Sequence, residues 1–261
     1  MTRLLDAQGI SKSYGKFQAL KRVSFHVDDG EFVSIVGPNG AGKSTIVNVL
    51  SGLARPDGGM VEFMGQSIAG VGPVRLGQRG MARAFQLVNI FPELTVGETI
   101  SVAVTARLKR VSRIWRAARA DREVQGEVAR VAAVLGLEQR LDVVAMHLSQ
   151  GEKKLLDIAS ALALRPRLIL LDEPTSGVSS GDKFDIMDLL VKAARAEGVR
   201  GIVQVEHDMD LVARYSHRIV ALQEGCVIGD MPPDRFFTDP LMLSAVIGKI
   251  GPVQEEVEQP C

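Results

Sequence analysis

The nine residues Gly37–Thr45, GPNGAGKST, constrain the fold of this chain more than any other stretch. They fit the phosphate-loop pattern G-x-x-x-x-G-K-[ST]. A short apolar run, EFVSIV at Glu31–Val36, reads as a strand entering them, and Lys43–Leu50 reads as a helix leaving them. Strand, glycine turn and helix in that order favour a layered α/β architecture. The turn also has a chemistry. In Gly37, Pro38, Asn39, Gly40, Ala41 and Gly42 the glycines let backbone N–H groups turn inward around phosphate oxygens. The helix that follows points its positive dipole end at the same place. Lys43 supplies a mobile charge for terminal phosphates, Ser44 offers a hydroxyl to Mg²⁺, and Thr45 completes the motif.

A second stretch, LILLDEPTSGVSSGD at Leu168–Asp182, drives a run of aliphatic residues into two acids. Burying a carboxylate without a partner is costly. A magnesium-bound triphosphate supplies a reason, because one acid can hold the metal through water while another activates the attacking water. Asp172, at the end of the buried strand, suits the first task. Glu173, one residue on and pointing the other way, suits the second as general base.

Gly201–Val205 and Arg218–Leu222 read as two further strands. Between Leu87 and Leu164 alanine, leucine and arginine dominate, and a helical insert is expected. Arginine recurs there at 107, 110, 113, 116, 119 and 122, with Lys109 and Trp115 among them. A spacing of three slips by about 60° per step on a helix of about 3.6 residues per turn, so these arginines spiral and form no single basic face. A solvated charged helix is expected.

The totals exclude several classes. The 261 residues carry 31 basic and 31 acidic side chains, without the basic excess of a dedicated nucleic-acid binder. No apolar run approaches the roughly 20 residues that span a bilayer, and MTRLLDAQGI lacks the apolar stretch of a signal peptide. Cys226 and Cys261 make no disulfide framework, so a reducing cytoplasm is expected. His26, His147 and His217 are read as structural.

A third signal is LSQGEKKLLDIASALA, Leu148–Ala163. Ser149 and Glu152 form a capping box, and Gly151 beside the helix start allows an anion to approach the backbone.

In order along the chain, Tyr14, GPNGAGKST, AFQ at Ala84–Gln86, LSQGE, LILLDEP and EHD at Glu206–Asp208 resemble the nucleotide-binding subunit of ATP-binding cassette (ABC) transporters. The resemblance implies a P-loop NTPase core of the RecA-like type, with an antiparallel β subdomain and an inserted α-helical subdomain. It divides a single domain over 1–250 into an α/β core (1–86 and 165–225), a helical subdomain with the signature (87–164) and a C-terminal helical extension (226–250). Residues 251–261 are expected to be a flexible tail.

The resemblance also implies roles. Tyr14 would stack on the adenine of ATP, and Gln86 would join Ser44 and Asp172 around Mg²⁺ in a loop that senses the membrane subunit. His207 would contact the γ-phosphate and position the attacking water. Ser149, Gln150, Gly151 and Glu152 would bind ATP held by a second cassette, identical or related. The expected partners are that cassette, integral-membrane subunits and, indirectly, a periplasmic or extracellular substrate-binding protein, with no nucleic acid. The expected location is peripheral, at the cytoplasmic face of the inner or plasma membrane.

Met81–Ile100 and Val205–Val212 look like the cassettes of branched-chain amino-acid and amide importers. Cassettes for lipopolysaccharide export and soluble non-transport ABC ATPases are the alternatives. The latter usually carry two cassettes or a long coiled-coil insert. A small-molecule kinase or GTPase on the same core would leave the LSQGE element without a purpose, and the NKxD-type motif that reads guanine is absent. Two stretches depart from the family: Gln150 replaces the common glycine of the signature, and Ser176-Gly177-Val178-Ser179 stands where the family usually reads Ser-Ala-Leu-Asp or Ala-Gly-Leu-Asn/Ser/Asp, the last residue reaching across the dimer; a hydroxyl at Ser179 carries no charge.

Overall fold

The computed structural model describes residues 2–84, 91–110 and 121–247. Strands β1 (Arg3–Tyr14) and β2 (Phe17–Asp28) form an antiparallel hairpin. The chain then crosses into β3 (Phe32–Val36), turns through the glycine loop and enters helix α1 (Lys43–Leu50). It returns to the first sheet with β4 (Gly58–Phe63) and β5 (Gln66–Ser67), in the order β2-β1-β4-β5. Helix α2 (Pro73–Arg79) leads to β6 (Met81–Ala84).

Three helices follow among the described residues: α3 (Val96–Arg107), α4 (Arg122–Val134) and α5 (Gln150–Leu162). Each has a side-chain cap. Thr95 with Glu98 and Ser149 with Glu152 close capping boxes, and Asp121 accepts from two first-turn amides. Such caps satisfy donors that the helix itself leaves unpaired. The rest alternates strand and helix: β7 (Leu168–Asp172), α6 (Lys183–Ala196), β8 (Gly201–Val205), α7 (Met209–Tyr215) and β9 (Arg218–Gln223). Strand β10 (Cys226–Met231) and helices α8 (Pro233–Phe236) and α9 (Pro240–Ile247) come last.

The second sheet runs β10-β9-β3-β8-β7-β6, parallel except at β10. Alternation along β7 explains its unbroken apolar sequence. Leu168 and Leu170 pack with α1 and the antiparallel sheet, whereas Ile169 and Leu171 pack with the helices from α3 to α6. A strand covered on both faces has no position for a polar side chain until its end.

Two expectations are corrected. The segment after Arg218–Leu222 is not wholly helical, because Cys226–Met231 adds an antiparallel edge strand to the sheet. The cause is a two-residue hairpin loop, Glu224–Gly225, with φ of +49° and +82°. Positive φ at both central residues is the twist that returns a strand beside its neighbour. The basic stretch is not one continuous helix either, since α3 ends at Arg107 and α4 opens at Arg122. Arg107 pairs with Glu127, and Arg110 with Asp121 and Glu123. Arg113, Arg116, Arg119 and Trp115 lie outside the described residues.

Arg218 ties the two sheets together. Its guanidinium donates to Glu31 (2.7 Å), to both Asp230 oxygens (2.7 Å each) and to the His26 carbonyl on β2. Its side chain is 13% exposed and that of Glu31 15%. Arg218→Met would strand the Glu31 carboxylate, and breaking such a pair from one end costs about 3 kcal/mol. We expect a lower urea midpoint with an unchanged denaturant slope; an unchanged midpoint would show that water replaces the guanidinium at no cost.

Candidate functional site

Parallel strands deliver their C-terminal ends to one edge of the sheet, where ligands of open α/β folds bind. The register shows how: Ile35 and Asp172 both pair with Val205, and Leu171 pairs with Ala84. The chain leaves that edge as Gly37 after β3, Glu173 after β7 and Glu206 and His207 after β8. Residues more than a hundred positions apart are thereby brought together. Gln86, which follows β6, lies outside the described residues.

The glycine loop is built as its motif requires. Gly37 (φ +150°) and Gly42 (φ +103°) stand where a Cβ would meet the Leu222 carbonyl oxygen at 2.1 Å and the Ala19 carbonyl oxygen at 2.6 Å. Any side chain there would have to displace backbone. Gly42 is the N-cap of α1, so Lys43, Ser44 and Thr45 form its first turn with their amides free of helical acceptors. Asn39, Gly40 and Ser44 are exposed, while Ala41 is buried.

Lys43 is 6% exposed. Its ammonium donates to the Gly37 (2.7 Å) and Pro38 (2.9 Å) carbonyls. Burial pushes it below the ordinary lysine value, while the charges of Glu173 and Asp172 pull the other way. A phosphate oxygen offers this ammonium a charged acceptor, a stronger partner than a neutral carbonyl.

Asp172 ends β7 with one oxygen, Oδ2, accepting from Arg83 Nη2 at 2.6 Å. Arg83 Nη1 also donates to Asn48 Oδ1 on α1 at 2.7 Å. Arg83 thus joins β6, β7 and α1, and it directly pairs the acid that the sequence left to be balanced by the phosphate loop. An arginine on the neighbouring strand, in MARAFQ, was the available signal. Its register against Leu170 was not legible without the sheet.

Glu173 and Asp172 diverge because the chain leaves the strand conformation between them. Glu173 has φ of +48°, a left-handed conformation that costs a non-glycine residue about 1–3 kcal/mol. Its amide donates to Val205 O (3.0 Å), and its carbonyl accepts from Ser176 N (3.1 Å) and Lys154 Nζ (3.2 Å). Its Oε1 lies 3.0 Å from His207 Nε2. Both side chains are nearly half exposed, so a proton on Glu173 or a water beside it can be reached from solvent.

His207 is held through its backbone. Glu206, 4% exposed, accepts from the amides of His207 (2.8 Å) and Asp208 (3.5 Å) and from the Thr175 hydroxyl (2.8 Å). Thr175 and Glu206 therefore link the loop after Glu173 to the turn that carries His207. His217, by contrast, accepts from the Phe32 amide through Nδ1 and serves the fold.

Other predicted residues stand apart from this cluster. Tyr14 ends β1 half exposed, with the Lys12 ammonium 5.5 Å from its ring centroid. Ser149, Gln150, Gly151 and Glu152 open α5, where the capping box and Arg140 (2.9 Å from Glu152) hold the start. Ser179 donates to Asp182 Oδ2 at 2.6 Å, so its hydroxyl is engaged within its own loop. No described residues cluster as three or more His, Cys, Asp or Glu metal ligands. The oxygens of Ser44 and Asp172 still suit Mg²⁺, which keeps several waters and takes one or two protein carboxylates.

This geometry has close counterparts. The family model described as ABC transporter matches residues 20–176. The high-affinity branched-chain amino acid transport ATP-binding protein BraF of Pseudomonas aeruginosa is 30% identical over 251 residues, covering 94% of this chain and 98% of BraF. The lipoprotein-releasing system ATP-binding protein LolD 2 of Rhodospirillum rubrum is 34% identical over 239 residues, covering 88% of this chain and 98% of LolD 2. Among solved structures, an ATP-binding cassette of an ABC transporter in its ADP conformation superposes with a TM-score of 0.83 at 28% identity. That likeness covers 95% of this chain and 100% of the other. The chain belongs to the ABC transporter family, as the ATP-hydrolysing cassette subunit that couples ATP to transport.

Proposed function

We propose that this cassette powers import of branched-chain amino acids or related small amides. The observation that carries the reading is the end-to-end match to BraF, which leaves almost none of either chain unpaired. Lipoprotein release is the second reading, favoured by the higher identity to LolD 2 over a shorter stretch.

In this reading Gly37–Thr45 cradle the phosphates of ATP and Lys43 moves from the loop carbonyls onto them. Glu173 takes the proton of the attacking water, and His207, 3.0 Å from it, orients that water and senses the γ-phosphate. Ser44, Asp172 and Gln86 would hold Mg²⁺, which supplies charge neutralisation at the phosphates. Asp172 presents its second oxygen because Arg83 holds the first. The α5 start, Ser149–Glu152, faces ATP bound by a second cassette, where amides and dipole attract its phosphates.

No described helix is long and apolar enough to cross a membrane. In this reading, as in the transport systems whose ATP-binding proteins it resembles, separate subunits span the membrane and this chain sits at their cytoplasmic face. A cavity of about 230 Å³, lined by Met81, Arg83, Phe91, Val102, Ala106 and Leu164, lies between the sheet edge and α3 and α5 and suits contact with such a subunit. A substrate-binding protein would meet the membrane subunits rather than this chain.

In cells lacking this chain, uptake of labelled leucine should fall and return with the wild-type gene. Undiminished uptake, with lipoproteins retained in the inner membrane, would instead favour the release reading. Tyr14→Ala should raise the KM for ATP about tenfold with little change in kcat, since stacking on a base is worth about 1–3 kcal/mol. An unchanged KM in steady-state kinetics would remove Tyr14 from the adenine site.

A further inference from the structure

We infer that Lys154 is a positioning residue for hydrolysis: from α5 it holds the peptide of Glu173 in the left-handed conformation that aims the carboxylate at His207. The inference rests on the reading of Glu173 as the base. Lys154 lies in the second turn of the helix whose first turn carries the signature. Its ammonium reaches 3.2 Å to the Glu173 carbonyl oxygen, nineteen positions along the chain.

The need for such a contact follows from the backbone. A non-glycine residue at φ +48° stays there only if its surroundings over-determine it. The Glu173 amide is fixed by Val205 O at the end of β8. Its carbonyl is held by Ser176 N, within the same turn, and by Lys154. Lys154 is the one of these from another subdomain, so its contact ties the Glu173 peptide to α5. If φ of Glu173 relaxed from +48°, its carbonyl carbon and Cβ would turn together about the N–Cα bond, carrying the carbonyl oxygen away from Lys154 and breaking the 3.0 Å contact to His207 Nε2. One helix therefore carries both the signature start and the grip on this chain's own base.

Lys154→Met keeps the stem and removes the donor, and Lys154→Arg restores one. With the full-length chain at saturating Mg·ATP, Lys154→Met should lower kcat about tenfold while KM stays within about twofold, as expected for a misplaced catalytic group. Lys154→Arg should recover kcat to within about threefold of wild type. In single-turnover assays the Met change should add less than about twofold to the loss already caused by Glu173→Gln, because both act through one group. A wild-type kcat in Lys154→Met, a loss that Arg does not rescue, or a full tenfold loss added to Glu173→Gln would each overturn the inference. If Glu173→Gln itself hydrolyses ATP at the wild-type rate, the reading of the base fails. If Glu173→Gln is inert and Lys154→Met is unimpaired, only the role of Lys154 fails.

Discussion

Glu173→Gln is expected to lower ATP turnover about a thousandfold while ATP affinity stays within about twofold of wild type. The amide occupies the same volume, and its oxygen can still accept from His207 Nε2, 3.0 Å away in the parent. It cannot accept the proton of water at neutral pH, so binding survives and chemistry stops. A bound triphosphate that is not cleaved should also hold two cassettes together. Saturating Mg·ATP should then shift the variant to a dimer on size exclusion, and wild type should not accumulate there. Hydrolysis at the wild-type rate would remove Glu173 from the role of base.

Lys43→Ala acts one step earlier. A hydrogen bond to a charged group contributes about 1.5–3 kcal/mol, so ATP affinity should fall about fiftyfold. The loss is not expected to reflect unfolding. Burial lowers the Lys43 pKa in the folded chain, so the unfolded chain binds that proton more tightly. The group therefore costs stability at every pH below its folded pKa, and the cost is relieved only as pH rises through that value toward the unfolded one. Removing it relieves that cost and forfeits the bonds to Gly37 and Pro38. The nucleotide-free variant should consequently melt within a few degrees of wild type at pH 7. Undiminished ATP affinity by calorimetry would overturn the phosphate-loop reading of Lys43.

Glu173 and Lys43 both lie in short motifs, and those motifs are legible for a physical reason. A glycine loop in which a Cβ at Gly37 would come within 2.1 Å of the Leu222 carbonyl oxygen leaves almost no freedom in residue type. The buried strand β7 likewise admits only apolar side chains until it reaches Asp172. The hairpin at Glu224–Gly225 has a local signal too, two turn residues between apolar runs, but the pairing of Cys226–Met231 with β9 needs the sheet. The supports of the site were a different matter. Arg83, Lys154, Thr175 and Glu206 act across gaps of 19 to 89 positions, and nothing local marks them.

The amino-acid sequence by itself determined the strand–loop–helix unit, the identity of the two acids after β7, the capped start of α5 and the family to which the chain belongs. Each is a local requirement, set by φ/ψ limits, burial or capping over a few consecutive residues. Only the tertiary structure decided that Arg83 neutralises Asp172, that Glu173 sits in a left-handed peptide gripped by Lys154, and that Ser179 spends its hydroxyl on Asp182. Those facts depend on strand register and on where a helix docks, which many distant contacts fix jointly and no short segment encodes.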